Sequence, residues 1–363
     1  MSWRETTLGE ITDLKRGFDL PKSQRLQGDV PVYSSSGITG SNSTAAVEGP
    51  CVITGRYGTI GEVFFSGGPC WPLNTALYST EFNGNNPRFI YYLLQTIPWQ
   101  GYTTASAVPG VNRNHVNLCP VKIPDRATQD AIVEVLDSIV DKIALNNRLN
   151  DYLANLCETI ASRYCNDRNS RLRDICYQVA DHVDYDNANQ ETYVSTESLM
   201  QNKGGRQLAS SLPTTGKITR YKAGDTLISN IRPYFKKIWY APFEGTCSGD
   251  VIVFRANDPS NAPYLHACLR QDSFFDYVMQ GAKGTKMPRG DKKQMMEFKV
   301  ASSCSAEDLI LLDSVIKQRS DNDSEITKLQ KLRDTLLPKL MSGEIDVSKI
   351  DLTQLTNNHL AGC

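Results

Sequence analysis

The 363-residue sequence lacks the features that would place it in a membrane or in a secretory pathway. No apolar run approaches the roughly 18 residues that a membrane-spanning helix needs. The first ten residues, MSWRETTLGE, contain no basic start followed by an apolar stretch, so they do not look like a signal peptide. From these absences we expect a cytoplasmic protein without a membrane partner.

Metal-binding and redox spacings are also missing. The ten cysteines are scattered, and no two of them stand three positions apart as zinc-binding or redox pairs do. Histidine occurs only four times. We therefore expect buried or incidental thiols, no metal site and no cofactor.

Sequence features of catalysis are scarce. A methyltransferase would carry its own cofactor-binding fold and an Asn-Pro-Pro-Tyr type motif, and we find neither. The string GRYGTIG (55–61) lacks the Gly-Lys-Ser/Thr ending of a nucleotide-binding loop. Asp181, Asp184 and Asp186 form an acidic cluster of the kind that a metal-dependent nuclease needs, but they fall in a predicted loop. We expect no catalytic residues.

Charge is balanced overall but unevenly distributed. The net charge of −1 argues against a uniformly basic nucleic-acid-binding protein. Residues 203–299, however, contain sixteen basic and eight acidic side chains, whereas residues 1–125 contain nine of each. Because phosphate backbones attract basic surfaces, residues 203–299 are a candidate DNA-binding region, with ordinary solvated charge as the alternative.

Segments in the two halves of the chain resemble each other at a constant offset. VITGRYGTIGEVFF (52–65) corresponds to LISNIRPYFKKIWY (227–240), and NPRFIYYLLQT (86–96) corresponds to NAPYLHACLRQ (261–271), both 175 positions apart. Each copy begins with short β-rich runs separated by Gly, Asn and Pro turns, and ends with a long amphipathic segment. The pattern predicts an internal duplication.

Apolar residues at three- and four-residue spacings predict one long helix per copy, over residues 128–164 and again near the C-terminus. We expect the two helices to pack antiparallel, either as a coiled coil in which Asn146 fixes the register or as two unrelated core helices. The polar segment KQRSDNDSE (317–325) predicts a break in the second helix. Pro338 predicts a bend that exposes three apolar side chains to a partner, with ordinary helix termination as the alternative. These side chains are Leu337, Leu340 and Met341.

Five segments resemble motifs of the specificity subunits of type I restriction–modification systems. LRDTLLPKLMSGEIDV (332–347) is similar to the distal conserved helix of that family, and residues 123–153 are similar to the central one. Residues 29–40, 52–65 and 71–78 are similar to the pattern of its target recognition domains. The resemblance implies a non-catalytic subunit with two target recognition domains, each of which recognises one half of a split DNA site.

The resemblance also implies a fold and a set of partners. The expected fold class is α+β, with two β-rich target recognition domains joined by a long antiparallel two-helix coiled-coil spacer and an internal pseudo-twofold repeat. The expected partners are double-stranded DNA, two methyltransferase subunits docked on the spacer, and restriction subunits through the complex. The expected divisions are target recognition domain 1 (1–125), the central spacer helix (126–166), target recognition domain 2 (167–303), the distal spacer helix (304–345) and a C-terminal tail (346–363).

Candidate DNA-binding residues of the first domain lie in polar loops. Hydroxyl and amide groups bond base edges and phosphates without bulk, and arginine pairs with guanine O6 and N7. A polar surface loop without a ligand is the alternative. The candidates are Ser34, Ser35, Ser36, Thr39, Arg56, Tyr57, Thr59, Arg113 and Asn114.

The second domain departs from the glycine pattern of the first, which leaves its loop geometry open. Its segments SNIRPYFKK (229–237) and GAKGTKMPRGDKK (281–293) combine basic side chains with turn-forming residues, which favours contact with a nucleic-acid backbone over a merely solvated loop. The candidates are Asn230, Arg232, Tyr234, Lys236, Lys283, Lys286, Arg289 and Lys292.

Two other functions stay open at the level of sequence. One is a coiled-coil interaction scaffold with two β-rich protein- or carbohydrate-binding domains. The other is a self-contained nuclease. Retention on duplex DNA at low and moderate salt separates the scaffold from the specificity subunit, and metal-dependent nicking of plasmid tests the nuclease.

Overall fold

The computed structural model describes residues 3–103, 110–164, 167 and 169–350, and the chain divides into two compact units. The first unit comprises Met1–Ala144 and Thr327–Cys363, and the second comprises Leu145–Ile326. In the described part of the chain, one two-stranded, one three-stranded and one four-stranded sheet fall in each unit. The fold is therefore mixed, with both helices and sheets.

The strands of the first unit are β1 (Trp3–Thr7), β2 (Lys15–Arg16), β3 (Val30–Ser34), β4 (Gly37–Asn42), β5 (Cys51–Gly55), β6 (Val63–Ser66), β7 (Trp71–Pro72), β8 (Ala76–Ser79) and β9 (Pro120–Pro124). The four-stranded sheet has the order β2-β8-β5-β6, and the three-stranded sheet has the order β4-β3-β7. All neighbouring strands are antiparallel except β3 and β7. β5 is buried along its whole length, which makes it the centre of the unit.

Short helices cover the sheets of the first unit: α1 (Leu8–Ile11), α2 (Pro87–Gln95) and α3 (Arg113–Val116). α2 begins where it does because the Asn86 side chain accepts hydrogen bonds from the backbone N–H groups of Arg88 and Phe89, and because proline fits the first turn. One face of α2, including Phe89 and Ile90, is fully buried in the main core of the unit.

The strands of the second unit are β10 (Ser170–Arg171), β11 (Cys176–Gln178), β12 (His182–Asp184), β13 (Lys217–Tyr221), β14 (Thr226–Ser229), β15 (Ile238–Tyr240), β16 (Gly245–Cys247), β17 (Val251–Ala256) and β18 (Lys299–Val300). They form an antiparallel sheet of order β11-β17-β14-β15, a second of order β12-β13-β16 and the pair β10-β18. The shorter helices of this unit are α5 (Leu172–Ile175), α6 (Ala262–Arg270), α7 (Asp272–Gln280) and α8 (Lys292–Met295).

Two helices of 37 residues complete the chain, α4 (Arg126–Ser162) and α9 (Ala306–Ser342). The predicted break at residues 317–325 is wrong, because α9 runs through it without interruption. In the second unit the polar residues of this segment are bonded to α4: Asn322 Nδ2 donates to Asn150 Oδ1 at 2.8 Å, and Asn150 Nδ2 donates to Asp323 Oδ1 at 2.7 Å. Because these buried polar groups have partners, they keep the helix intact.

The residues that bond across the helices of the second unit run in opposite directions along the chain. Asn146 Nδ2 donates to Glu325 Oε2 at 2.7 Å, and Nη1 of Arg163, the residue after the end of α4, donates to Asp308 Oδ1 at 2.7 Å. Earlier residues of α4 therefore meet later residues of α9, which is an antiparallel arrangement. Asn146 is 3% exposed, so its amide is one of several buried polar groups between the two helices, together with Asn150 and Asn322.

The prediction that Leu337, Leu340 and Met341 are exposed is wrong. Their exposed fractions are 9%, 0% and 5%, and they belong to the main core of the first unit together with Leu136. Pro338 lies within α9 without ending it. The helix ends at Ser342, and Gly343 follows with a φ of 76°. The apolar stripe at this end of α9 is thus used within the chain, and it is not available for docking a partner.

Two expectations from the sequence concern the cysteines and the helices of the described residues. Seven of the cysteines in the described ranges are buried, and Cys304 is half-buried. Within the same ranges, none of the helices combines the length and the apolar character needed to cross a membrane.

Candidate nucleic-acid interface

The glycine-rich segment 55–61 forms a tight loop between β5 and β6. A Cβ atom on Gly55 would lie 1.7 Å from the carbonyl oxygen of Thr59, so the loop closes in this way only with glycine at that position. Gly58 and Gly61 have φ angles of 78° and 94°, in the left-handed region that favours glycine. Thr59 is exposed at the tip of the loop.

Two other chain segments hold the start of this loop. The Arg56 backbone N–H donates to the carbonyl oxygen of Thr75 at 2.9 Å, and the Val111 N–H donates to the carbonyl oxygen of Arg56 at 2.9 Å. Tyr57 forms an antiparallel bridge with Gly110. The backbone at Arg56 and Tyr57 is therefore fixed on both sides, while the Tyr57 side chain keeps 37% of its surface exposed.

A cavity of about 310 Å³ opens beside the loop and brings three arginines together. Arg56 comes from the loop, Arg16 from β2, and Arg113 from the first residue of α3. The Arg56 guanidinium carbon lies 4.6 Å from the centre of the Tyr57 ring. Asn112, which also lines the cavity, accepts a hydrogen bond from the Asn114 N–H at 3.1 Å and so caps α3. The predicted residues Arg56, Tyr57 and Arg113 thus share one site, with exposed Asn114 next to it.

The serine-rich turn between β3 and β4 lies against the same loop. A Cβ atom on Gly55 would lie 3.3 Å from Ser35 Cβ, and one on Gly58 would lie 3.5 Å from Ser35 Oγ. Ser34 Oγ donates to the Gly37 carbonyl oxygen at 3.2 Å, so this hydroxyl stabilises the turn. Ser36 and Thr39 are exposed, and Thr39 Oγ1 donates to the Val32 carbonyl oxygen at 3.4 Å.

In the second unit, the two predicted basic segments lie side by side. Ile231 forms an antiparallel bridge with Arg289, and the Arg232 N–H donates to the Pro288 carbonyl oxygen at 2.8 Å. Lys283 and Arg289 exchange two backbone hydrogen bonds of 2.9 Å, which close the second segment into a hairpin-like loop. Residues 229–237 and 281–293 therefore form one surface, which we call the basic surface of the second unit.

The charged side chains of the basic surface differ in whether they contact a carboxylate. Arg289 Nη2 lies 3.2 Å from Asp250, and Lys283 Nζ lies 3.0 Å from Asp291 Oδ2. The hydrogen bond from Lys283 is the main reason why the pKa of Asp291 is lowered. Both basic side chains remain more than half exposed, and exposed ion pairs contribute little, so a phosphate can compete for them. Lys286 and Lys292 are exposed.

Backbone strain marks the turn that carries Tyr234. Arg232 and Lys236 flank a 3₁₀ turn at Pro233–Phe235, and both have a φ of 50°, which is uncommon for residues other than glycine. Strained residues of this kind cluster at functional sites. The turn leaves the Tyr234 side chain 47% exposed within the basic surface.

Two predicted DNA-binding residues of this unit need correction. Asn230 is only 6% exposed, and a Cβ atom on Gly290 would lie 3.2 Å from its Oδ1, so its amide does not reach the surface. Lys236 Nζ lies 2.9 Å from Asp272 Oδ1, which also lies 2.8 Å from Lys203 Nζ. These two lysines lower the pKa of Asp272, with Lys203 contributing most. Lys236 is thus part of a structural ion-pair cluster.

Arg16 and Asn112 are site residues that the sequence analysis did not select. Arg16 is the last residue of the short strand β2 and belongs to no motif. Only the pairing of β2 with β8 brings it to the cavity. Asn112 directly precedes the predicted residues Arg113 and Asn114. Asparagine is a preferred N-cap residue, so its place just before α3 is the signal that could have identified it. Within the described ranges, no group of three or more His, Cys, Asp and Glu side chains is placed to hold a metal ion.

Comparisons with known proteins found similarities in sequence and in fold. Residues 1–155 match the family model described as the type I restriction modification DNA specificity domain. The chain is 19% identical to the type I restriction enzyme EcoDI specificity subunit of Escherichia coli over 408 residues, which covers 95% of this chain and 89% of that protein. Its fold is similar to the crystal structure of a type I restriction–modification system S subunit from M. genitalium, with a TM-score of 0.57, 15% identity and coverage of 94% of this chain and 96% of that one.

Residues 1–155 of this chain match a DNA specificity domain, and the fold of the chain is similar to that of an S subunit. The resemblance to the specificity subunits of type I restriction–modification systems, which the sequence motifs indicated, is confirmed.

Proposed function

We propose that the chain recognises a bipartite site in double-stranded DNA as the specificity component of a type I restriction–modification complex. Target recognition domain 1 (residues 1–125) contacts one half-site, and target recognition domain 2 (residues 167–303) contacts the other. The observation that carries the proposal is that the family match to a DNA specificity domain covers the arginine-lined cavity, while the second unit has an exposed basic surface of its own.

Correspondence between elements supports an internal repeat. α2 begins at Pro87 and α6 at Ala262, which are 175 positions apart, and both helices have nine residues. β8 begins at Ala76 and β17 at Val251, again 175 positions apart. A chain built from two such copies has two DNA-binding surfaces that diverge independently, as a split site with two different halves requires.

The long helices are suited to the role of a spacer. At 1.5 Å per residue, a helix of 37 residues is roughly 56 Å long, whereas one turn of duplex DNA is about 34 Å. Helices of this length are long enough for the bases between two half-sites to be spanned without being contacted. The predicted spacer segments 126–166 and 304–345 contain these helices. The polar pairs Asn146–Glu325 and Asn150–Asp323 favour a single register for the helix pair.

An exposed apolar stripe on α4 is the surface on which we propose that a methyltransferase subunit docks. Leu145, Leu149 and Tyr152 follow each other at four- and three-residue spacing, which puts them on one helix face. Their exposed fractions are 55%, 38% and 66%. Single exposed apolar residues are ordinary, but three along one face form a patch typical of an interaction site. In the proposed complex this stripe holds one of two methyltransferase subunits, and restriction subunits join through the methyltransferase subunits.

Exchange of one domain tests the bipartite proposal. Residues 1–125 are replaced by the corresponding domain of another specificity subunit, and the hybrid is combined with its methyltransferase partner. Sequencing of methylated bases is expected to show one altered half-site and one unchanged half-site. A change in both half-sites would contradict the division of labour, and an absence of specific DNA binding in the unmodified complex would contradict the proposal as a whole.

A further inference from the structure

We infer that the cavity lined by Arg16, Arg56 and Arg113 binds one phosphate group, and that a backbone phosphate of the DNA duplex is its physiological occupant. The choice of DNA as the source rests on the proposed function. The binding of a phosphate rests only on the cavity itself. The inference assigns to Arg16 a role that no motif in the sequence indicates.

The charge of the cavity selects an anion. Three guanidinium groups line it, and none of the described residues in its lining is acidic. Asp19 is the nearest acidic partner found for Arg16, at 3.9 Å, but both side chains are more than half exposed, so this ion pair holds Arg16 weakly. Guanidinium groups match the oxygens of phosphate with paired hydrogen bonds, which makes arginine the residue of choice for this ligand.

The surroundings of Tyr57 favour a phosphate over a stacked base. A base that enters a protein pocket stacks on an open aromatic face. The Tyr57 ring already has the Arg56 guanidinium carbon 4.6 Å from its centre, and Gly110 lies so close that a Cβ atom there would be 2.3 Å from Tyr57 Cε1. The ring therefore supports Arg56 and closes the cavity wall. What the cavity presents to a ligand is mainly positive charge.

The backbone that carries the arginines is held in place before any ligand arrives. Hydrogen bonds of 2.9 Å on both the N–H and the carbonyl side fix the Arg56 backbone. The cap from Asn112 fixes the turn that begins with Arg113, and β2 pairs Arg16 with Leu77, another residue of the lining. Because the backbone needs no further ordering and only side chains have to be positioned, a phosphate contact here orients the duplex on the first unit at reduced entropic cost.

Salt dependence of DNA binding tests the inference with the full chain in its methyltransferase complex. The variants are Arg16→Gln, Arg56→Gln and Arg113→Gln, and Lys22→Gln is the matched control because Lys22 is an exposed cation of the same unit that lies outside the cavity lining. Each cavity variant is expected to weaken binding to specific and unrelated duplexes equally. Because the cavity holds one phosphate, replacement of all three arginines is expected to flatten the slope of log K against log salt by about 0.9, and each single replacement by part of that amount. The control is expected to keep the slope of the unmodified protein.

Phosphorus NMR with inorganic phosphate tests the cavity without DNA. Saturable binding is expected for the unmodified protein and for Lys22→Gln, and it is expected to disappear when all three arginines are replaced by glutamine. Thermal unfolding of each variant shows whether it remains folded, and Arg→Lys variants, which keep the charge, serve where a glutamine variant is unfolded. Phosphate binding with no specific DNA binding would overturn the proposed function and leave the cavity assignment standing.

Three results would overturn the assignment. The first is an unchanged salt slope in all three variants. The second is a loss of affinity confined to the specific duplex, which is the mark of base recognition. The third is phosphate binding that survives without the three arginines.

Discussion

Replacement of Leu340 by alanine distinguishes the two roles considered for the end of α9. If Leu340 is a core residue, its truncation destabilises the first unit. If it is a docking residue, truncation leaves the chain stable and weakens partner binding. Its side chain is 0% exposed and lies in the same core cluster as Leu136 and Met341. We therefore expect the truncation to destabilise the first unit.

The size of the effect follows from the burial of Leu340. Truncation of a buried leucine to alanine costs about 2–5 kcal/mol, and a fully enclosed site falls in the upper part of that range, about 3–5 kcal/mol. For a unit of this size, each kcal/mol lowers the melting temperature by about 2–4 °C. We therefore expect the transition of the first unit to fall by roughly 6–20 °C.

Calorimetry and a binding assay with the methyltransferase partner together give the answer. Tyr152→Ala is the matched variant, because Tyr152 is 66% exposed on the proposed docking stripe. It is expected to leave the melting temperature within about 2 °C, since surface substitutions change stability by about 0.5 kcal/mol or less. It is expected to weaken partner binding about tenfold, which corresponds to 1.4 kcal/mol. Below its melting temperature, Leu340→Ala is expected to bind the partner normally. The opposite pattern, a stable Leu340→Ala chain that fails to bind, would refute the reasoning.

Three further predictions concern other parts of the molecule. Charge reversal at Lys286 and Lys292 is expected to weaken DNA binding by the complex and to flatten its salt dependence, measured by fluorescence anisotropy at several salt concentrations; unchanged affinity would remove them from the basic surface. Gly55→Ala is expected to lower the melting temperature of the first unit, because the added carbon would meet a carbonyl oxygen at 1.7 Å, whereas Gly67→Ala, whose nearest neighbour would be 3.8 Å away, is expected to be tolerated. Burial raises the pKa of Asp323 above its usual value near 3.8, so the native state favours the protonated form, and stability is lost as pH rises through the folded pKa. Asp323→Asn is expected to remove that pH dependence in urea unfolding, and an identical pH profile for both proteins would contradict the assignment.

The long helices show what periodicity predicts and where it fails. Residues 128–164 have a regular apolar stripe, and α4 covers nearly the same range. The polar segment 317–325 has no such stripe, which suggested a break. It stays helical because Asn150 of α4 bonds to both Asn322 and Asp323, and those partners are 172 and 173 positions away in sequence. Pairing at that distance is invisible to any local pattern.

The candidate site shows the same limit. The glycine spacing in residues 55–61 pointed to a tight loop, and the structure has one. The three arginines of the cavity come from β2, the glycine loop and α3, and nothing in their local sequence connects them. Asn230 has the chemistry of a base-contacting residue and a plausible neighbourhood in sequence, but burial removes it from the surface. Residue type indicates what a side chain can bind, whereas the fold decides whether it can be reached.

Net charge alone overstates the DNA-binding surface of the second unit. Several of the sixteen basic residues in 203–299 are used for structure: Arg255 pairs with buried Asp225 at 2.6 Å, Arg270 is 3% exposed, and Lys203 bonds Glu158 and Asp272. Five cations remain at the surface of the loop 281–293, and two of them already have carboxylate neighbours. Charge of this kind attracts any DNA sequence, so the discrimination between sequences must come from the fixed geometry of a small number of contacts. That is the property that a specificity component needs, because strong non-specific attraction would hold it on every sequence alike.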